Sequence, residues 1–354
     1  MSSMIRFGLL GCGAIAKRHA EILADHSAGA KLVAVCDVNE SRVHAFAQKY
    51  KVPAFRDITG MMRSGSIDAV TVLTPSGLHA SHVEELARFG QAIVVEKPMA
   101  LSLEDADRMI AACDRYGARL FVVKQNRFNR PVIALKEALE AGRFGKLVMG
   151  TIRVRWCRAQ SYYDADGWRG TWAYDGGVLA NQASHHIDLL EWMMGPVDSV
   201  AAISSRALAR IEAEDTAAAI MRFQNGAIGI IEATTATRPR DLEGSLSILG
   251  EQASVEIGGF SANELKTWNF AQPTEADRRV FEDFGKNPPH PNGYGHAAYY
   301  AHVVDCLRQN KRQLVDGLEG RKSLEMVVAL YEAIETGVSV QMGFSPKRCR
   351  LGHP

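Results

Sequence analysis

In the stretch GGVLANQASHHID, His185 stands four residues after Asn181 and three before Asp188. At 3.6 residues per turn these offsets put three polar side chains on one stripe, and the run LLEWMMG that follows predicts that the stretch opens an apolar helix. A buried polar group costs free energy unless it is partnered, so the stripe either satisfies itself or faces a ligand. An imidazole titrating near neutral pH suits the removal of a proton from a hydroxyl, which makes His185 the candidate base. Asp188 either fixes its tautomer or satisfies nearby backbone, while His186 points about 100° away and reads as structural. Lys97, in Glu96-Lys97-Pro98 at the end of the run AIVV, is a surface lysine before a turn proline or an ammonium that stabilises charge on a reacting oxygen. The second reading is preferred because the end of such a strand is a ligand position.

A second constellation begins at the N-terminus. The strand-like IRFGLL leads into Gly11-Cys-Gly13-Ala14-Ile15-Ala16 and then a helical pattern. This G-x-G-x-x-A permits a tight turn at Gly11 and close approach of a pyrophosphate at Gly13, with the helix N-terminus at Ala14 and Ile15 supplying N–H donors. Asp37 ends the next strand, KLVAVC, where a carboxylate accepts from both ribose hydroxyls and repels a 2′-phosphate. NAD is therefore the expected cofactor. Thr74, Ser76 and His79 of TPSGLH, then Glu96, Lys97 and Gln125, follow later strands and complete the expected cofactor set. His79 either caps a helix or positions it near the cofactor, and His296 in GYGH either is structural or reaches the substrate. No metal site is expected, since His185 and His186 are adjacent rather than a turn apart and no H-x-x-x-H accompanies them.

The elements that must hold these residues follow from periodicity. IRFGLL, KLVAVC, AVTVL, AIVV and RLFVV alternate with helical patterns near 14–24, 40–50, 79–90 and 103–116, the rhythm of a doubly wound parallel sheet. Beyond about residue 125 one helix, PVIALKEALEAG, precedes KLVMGTIRVRW, TAAAIMRF, AIGIIEATT, GSLSILG and ASVEI, which read as an antiparallel sheet. Two helices near 297–309 and 319–336 close the chain, and Gln272–Pro291 reads as a long surface loop. At 354 residues two domains are expected, 1–125 and 126–354. A net charge of +1 gives no sign of a nucleic-acid partner. Six cysteines scattered without a C-x-x-C pair read as reduced thiols. No apolar run is long enough for a bilayer and no charged leader precedes the first strand, so no membrane partner and a cytoplasmic location are expected.

The glycine turn, TPSGLH, the E-K-P tripeptide and GG-x-x-x-N-x-x-x-H-x-x-D together resemble the Gfo/Idh/MocA oxidoreductase family. The resemblance runs over nearly the whole chain, including the closing DGLEGRKSLEMVVALYEAIETG. It implies an α/β protein with an N-terminal Rossmann domain. It also implies a C-terminal α/β domain whose large, mostly antiparallel sheet covers the active site and joins a homo-oligomer, commonly a tetramer. The family usually carries Asp where this chain has Asn181. A narrower resemblance, in RVRWCRAQSYYDADGWRGTWAYDGGVLANQASHHID, is to its branch of bacterial dehydrogenases of UDP-N-acetylglucosaminuronic acid. It implies NAD-dependent oxidation of the sugar C3 hydroxyl to a ketone for a following aminotransferase, in the synthesis of diacetamido-uronic acids for surface polysaccharide.

A UDP-uronic acid brings a diphosphate and a carboxylate, which suit the planar fork of arginine. Arg158, Tyr163, Trp168, Asn181, His185, His296 and Lys97 are the expected substrate contacts. Arg153 and Arg155 read equally as the solvated or subunit-facing side of a strand, and the aromatics either pack the loop or touch substrate. Two other functions stay open: dehydrogenation of a free sugar or inositol, and dinucleotide binding by a regulator without turnover. Retention of both Lys97 and His185 favours turnover. NADH is then either released or reoxidised in place by a 2-oxo acid.

Overall fold

The computed structural model describes residues 4–65, 67–286 and 295–353. The first part of the chain runs β1 (Ile5–Leu10), α1 (Ala14–Asp25), β2 (Ala30–Cys36), α2 (Glu40–Tyr50), β3 (Ala54–Phe55), α3 (Ile58–Arg63), β4 (Ala69–Val72), α4 (His79–Ala87), β5 (Ala92–Val95), α5 (Leu103–Tyr116) and β6 (Leu120–Val122). The second part runs α6 (Arg130–Glu140), β7 (Leu147–Arg155), α7 (Gln160–Asp164), α8 (Ser184–Met194), β8 (Val197–Ser205), β9 (Thr216–Phe223), β10 (Ile228–Thr234), β11 (Glu243–Gly250), β12 (Ala253–Gly258), β13 (Glu264–Phe270), α9 (Glu275–Phe284), α10 (Gly295–Gln309), α11 (Gly317–Thr336) and β14 (Val340–Gln341). These fold as two compact units, residues up to Val123 with His296–Lys322, and Lys124–Gly295 with Ser323 onward.

In the first unit six parallel strands lie in the order β3-β2-β1-β4-β5-β6. β4 and β5 are buried at every position, which is why they read as unbroken apolar runs. The order reverses between β1 and β4, and the crevice at their carboxyl ends is where such a sheet takes its ligand. The helix α10, from His296 on, groups with this compact unit. Its Tyr300 is fully buried, with its ring edge-on to Phe7 at 5.3 Å and its hydroxyl within 2.8 Å of His19 and 3.0 Å of Thr71.

The second unit is built on an eight-stranded sheet, β13-β12-β11-β7-β10-β9-β8-β14, antiparallel except where β10 runs parallel to β7. α8 lies on one face, its Leu190 and Met194 packed over Gly150 of β7. On the other face Ile203, Ile220, Ile228 and Leu249 are exposed in the single chain. Arg153 and Arg155 share that face in a cross-strand ladder with Glu256 and Glu232, at 2.8 and 2.6 Å. The expected loop over 272–291 contains α9 instead. Thr274 and Asp277 form a reciprocal capping box at its start, and Asp277 also binds Arg143 and the indole of Trp268, so the helix is anchored at its first turn. Residues 287–291 of that stretch lie outside the described residues. Among the described residues no helix is long and apolar enough to cross a membrane.

Candidate active site

On the nucleotide side, Gly11 turns with φ +100°, and a Cβ there would meet the Leu73 carbonyl at 2.8 Å. Gly13 precedes α1 in an extended conformation with no side-chain cap, and open space stands where its Cβ would be. Ala14 and Ile15 are exposed on the first turn. Asp37 draws this turn to the end of β2: Oδ2 accepts the Cys12 N–H at 2.7 Å and Oδ1 accepts the Asn39 N–H at 2.8 Å. Each oxygen keeps a further lone pair for a ribose hydroxyl. An uncapped helix start, a cradle without side chains and a carboxylate one strand away fit a dinucleotide.

The turns after β4 and β5 are tied together from beneath. His79 is buried with one ring nitrogen 2.9 Å from the Pro98 carbonyl and the other 2.9 Å from that of Thr74, and burial pushes its pKa down. The Thr74 hydroxyl meets Nδ1 of His82 at 3.0 Å, and Ser76 is buried in the turn between. Glu96, expected in the cofactor set, is buried and bonded within its own unit. Its Oε1 accepts from Nε2 of His19 at 3.0 Å and its Oε2 accepts the Lys97 N–H at 2.9 Å. Burial opposes its charge, but the His19 bond prevails and holds the carboxyl at about 2. Glu96 thus fixes the backbone from which Lys97 projects. His296, expected at the substrate, is 3 % exposed and stacks edge-on against His19. His19, Glu96 and His296 offer ligand atoms within 4.8 Å of one another. The chain Thr71–Tyr300–His19–Glu96–Lys97 N–H accounts for the His19–Glu96 contact without an ion.

On the other unit the helix begins later than its spacing implied. α8 starts at Ser184, and Asn181 sits in the preceding turn, closed by Asn181 N–H to Gly177 and Ala183 N–H to Val178 at 3.0 and 2.7 Å. From Asp175 to Leu190 only Asn181 and His185 are open to solvent. Gln125, expected at the cofactor, belongs to this unit, with Nε2 3.4 Å from Nε2 of His185. An amide nitrogen only donates, so in this orientation the ring nitrogen is the acceptor, as a base requires. Asp188 instead forms a buried fork with Arg127 at 2.9 and 2.8 Å, with Lys124 at 3.5 Å. Burial opposes its ionisation, but these two cations hold it below the usual carboxylate range. His186 is wholly buried, and that burial pushes its pKa down to about 4.

The arginine-rich segment is more committed than its sequence suggests. Arg158 is paired with Asp241 at 3.1 Å and lies over the rings of Trp156 and Tyr162. The Tyr163 hydroxyl is buried on Thr235 at 2.8 Å. Trp168 is half-buried under the Arg169 guanidinium, 4.7 Å from its ring. Beside this loop a cavity of about 750 Å³ is lined by Arg169, Arg206 and Arg210 together with Asp164, Asp166 and Glu212. Sequence reading also passed over Glu214, whose Oε1 accepts from the Leu179 N–H and the Tyr331 hydroxyl, both at 2.9 Å, beneath the turn that carries Asn181. Burial pushes its carboxyl up to about 7. Arg127 and Lys124, in KQNR, gave a signal only in being charges beside apolar RLFVV.

Comparison with known proteins matches residues 5–124 to the NAD-binding Rossmann fold of the GFO_IDH_MocA oxidoreductase family and residues 136–342 to its C-terminal alpha/beta domain. The WlbA dehydrogenase of Bordetella pertussis, solved with NADH and UDP-GlcNAcA, is 43 % identical over 97 % of this chain and 99 % of that one, with a TM-score of 0.91. The WlbA enzyme of Chromobacterium violaceum, solved with the same two ligands, is 40 % identical over 97 % of each chain, with a TM-score of 0.90. The D-apiose dehydrogenase of Paraburkholderia graminis is 27 % identical over 94 % of this chain and 88 % of its own.

Proposed function

Because this chain belongs to the Gfo/Idh/MocA oxidoreductase family, we propose that it oxidises the C3 hydroxyl of UDP-N-acetylglucosaminuronic acid to a ketone. The exposure pattern carries the assignment of the reacting side: within an otherwise buried stretch, only Asn181 and His185 open to solvent. The sugar nucleotide is supported by the 43 % and 40 % identity to enzymes crystallised with it. Gly11, Gly13, Ala14, Ile15 and Asp37 would hold NAD, which supplies the hydride acceptor. His185 takes the hydroxyl proton on the lone pair of Nε2, and Lys97 donates a hydrogen bond to the same oxygen as negative charge builds there. Asn181 and Trp168 orient the sugar, and Arg169, Arg206 and Arg210 offer the cationic groups a diphosphate requires. Six free cysteines suit a reducing, cytoplasmic setting. The exposed isoleucines of the eight-stranded sheet support a homo-oligomer joined through that face.

The pairing of Arg158 with Asp241 favours one alternative, a neutral sugar or polyol without a carboxylate to be read. The deciding experiment incubates stoichiometric protein and NAD with UDP-N-acetylglucosaminuronate, UDP-N-acetylglucosamine, myo-inositol or D-apiose, following nicotinamide reduction. The expected outcome is reduction with the UDP-uronic acid and little with the others, since a site built for a charged group rejects an analogue lacking it. Equal reduction with UDP-N-acetylglucosamine removes the carboxylate from the reading, and reduction by a free polyol alone replaces it. A 2-oxo acid added afterwards reports whether NADH is reoxidised in place.

A further inference from the structure

The step Tyr174-Asp175-Gly176 carries a buried acid that the proposed chemistry does not use. Asp175 is 1 % exposed, and its two oxygens serve different segments. Oδ1 accepts from Nδ2 of Asn181 at 2.5 Å, and Oδ2 accepts the Gly170 N–H at 2.8 Å. The first segment is the turn at the head of α8; the second is the turn that carries Trp168 and Arg169. A carboxylate away from water is stable only where donors compensate it. Here the donors come from the two segments that the functional reading places against the substrate.

We propose that Asp175 is the positioning residue of the sugar side of the site. It holds Asn181 with its amide nitrogen turned inward and its carbonyl oxygen turned away from the acid. The substrate group read by that oxygen is then a neutral hydrogen-bond donor, a hydroxyl or an N–H, and not the carboxylate. The inference rests on the reading of Asn181 as a substrate residue. Its chemistry is specific to this pair. An aspartate at position 181 would bring two carboxylates into contact away from water, and such a pair keeps one proton between them. An asparagine at position 175 places an NH2 donor where one of the two carboxylate oxygens stood, so it faces either the Gly170 N–H or the Asn181 amide nitrogen donor to donor. Exchanging the two residues restores both bonds: the introduced amide accepts from Gly170 through its oxygen and donates through its nitrogen to the introduced carboxylate.

The test measures kcat, KM for the UDP-uronic acid, NAD affinity and the pH profile for Asn181→Ala, Asp175→Asn, Asn181→Asp and the exchanged double variant. Asp175→Asn should lower kcat/KM by roughly 10²-fold, the usual cost of misplacing an orienting group, with NAD affinity unchanged. Asn181→Asp should show a new step in its profile, active while the shared proton is held and failing as pH rises. The double variant should lose that step and recover to within about tenfold of the parent. If Asp175→Asn does not fold, the double variant carries the test, because it keeps both bonds. Parental kinetics in Asp175→Asn, or no new step in Asn181→Asp, overturns the positioning role while Asn181→Ala remains impaired. Parental kinetics in Asn181→Ala overturns the premise, and with it the inference.

Discussion

In the proposed reaction a single side chain, His185, supplies the base. His185 is open to solvent within the otherwise buried first turns of α8, with the Gln125 amide 3.4 Å away. Lys97 projects from a backbone pinned by Glu96. If both act on one oxygen, their losses fall on one transition state and do not add. His185→Asn should slow single-turnover reduction of NAD by roughly 10²- to 10⁴-fold, the usual worth of general-base catalysis, with NAD affinity unchanged. Lys97→Ala should also cripple turnover, and the double variant should be scarcely worse than the poorer single one. Near-normal turnover in His185→Asn would move the base elsewhere, with Lys97 the first alternative. Where both residues stand in the fold was legible in the sequence because the pattern around them is local: E-K-P at a strand end, and N-x-x-x-H ahead of an apolar run. Their supports were not, since the spacing of Glu96 or Gln125 says nothing of what each one touches.

At the scale of the element, the turn before α8 stands on Glu214. Its carboxyl is raised to about 7 by burial, against 4.5 in an unfolded chain. Below pH 4.5 both states hold the proton. Between pH 4.5 and about 7 only the folded state does, so stability is lost as pH rises through that window, by about 3 kcal/mol. His186 acts in the opposite sense: buried neutral with a pKa of about 4 against 6.5, it contributes stability present above 6.5 and lost as pH falls toward 4. The two slopes oppose each other in the parent. Glu214→Gln removes one of them, so the unfolding free energy of the variant should gain about 3 kcal/mol on the parent between pH 4.5 and 7. Urea unfolding at several pH values within that range reads it directly, and parallel curves for the two proteins would refute the protonated carboxyl. The capping box of α9 shows the same scale in the fold: Thr274 and Asp277 make a helix of a stretch whose polarity had suggested a loop.

At the scale of the molecule, the first unit is discontinuous. Its core needs Tyr300 of α10, whose ring lies on Phe7 and whose hydroxyl completes the chain through His19 to Glu96. Residues 1–123 alone should therefore lack a cooperative thermal transition and fail to bind NAD. The same residues joined to 296–322 through a short glycine linker should regain both. Calorimetry and NAD titration of the two fragments decide it, and NAD binding by the shorter one would show that α10 is dispensable.

The amino-acid sequence alone determined the α/β class, the order of nearly all the strands and helices, the glycine turn with Asp37 one strand later, and the positions of Lys97 and His185. Each of these is written in spacings of a few residues, which secondary structure converts directly into geometry. The tertiary structure decided what the polar groups are bonded to. His19 meets Tyr300 across 281 positions, Arg127 meets Asp188 across 61, and Arg158 meets Asp241 across 83. These contacts buried His296 and Glu96, took Asp188 away from the role of orienting His185, and engaged the arginine expected to read an anion. The free energy of a buried polar group depends on its partner, and where that partner lies far along the chain, no local period records it.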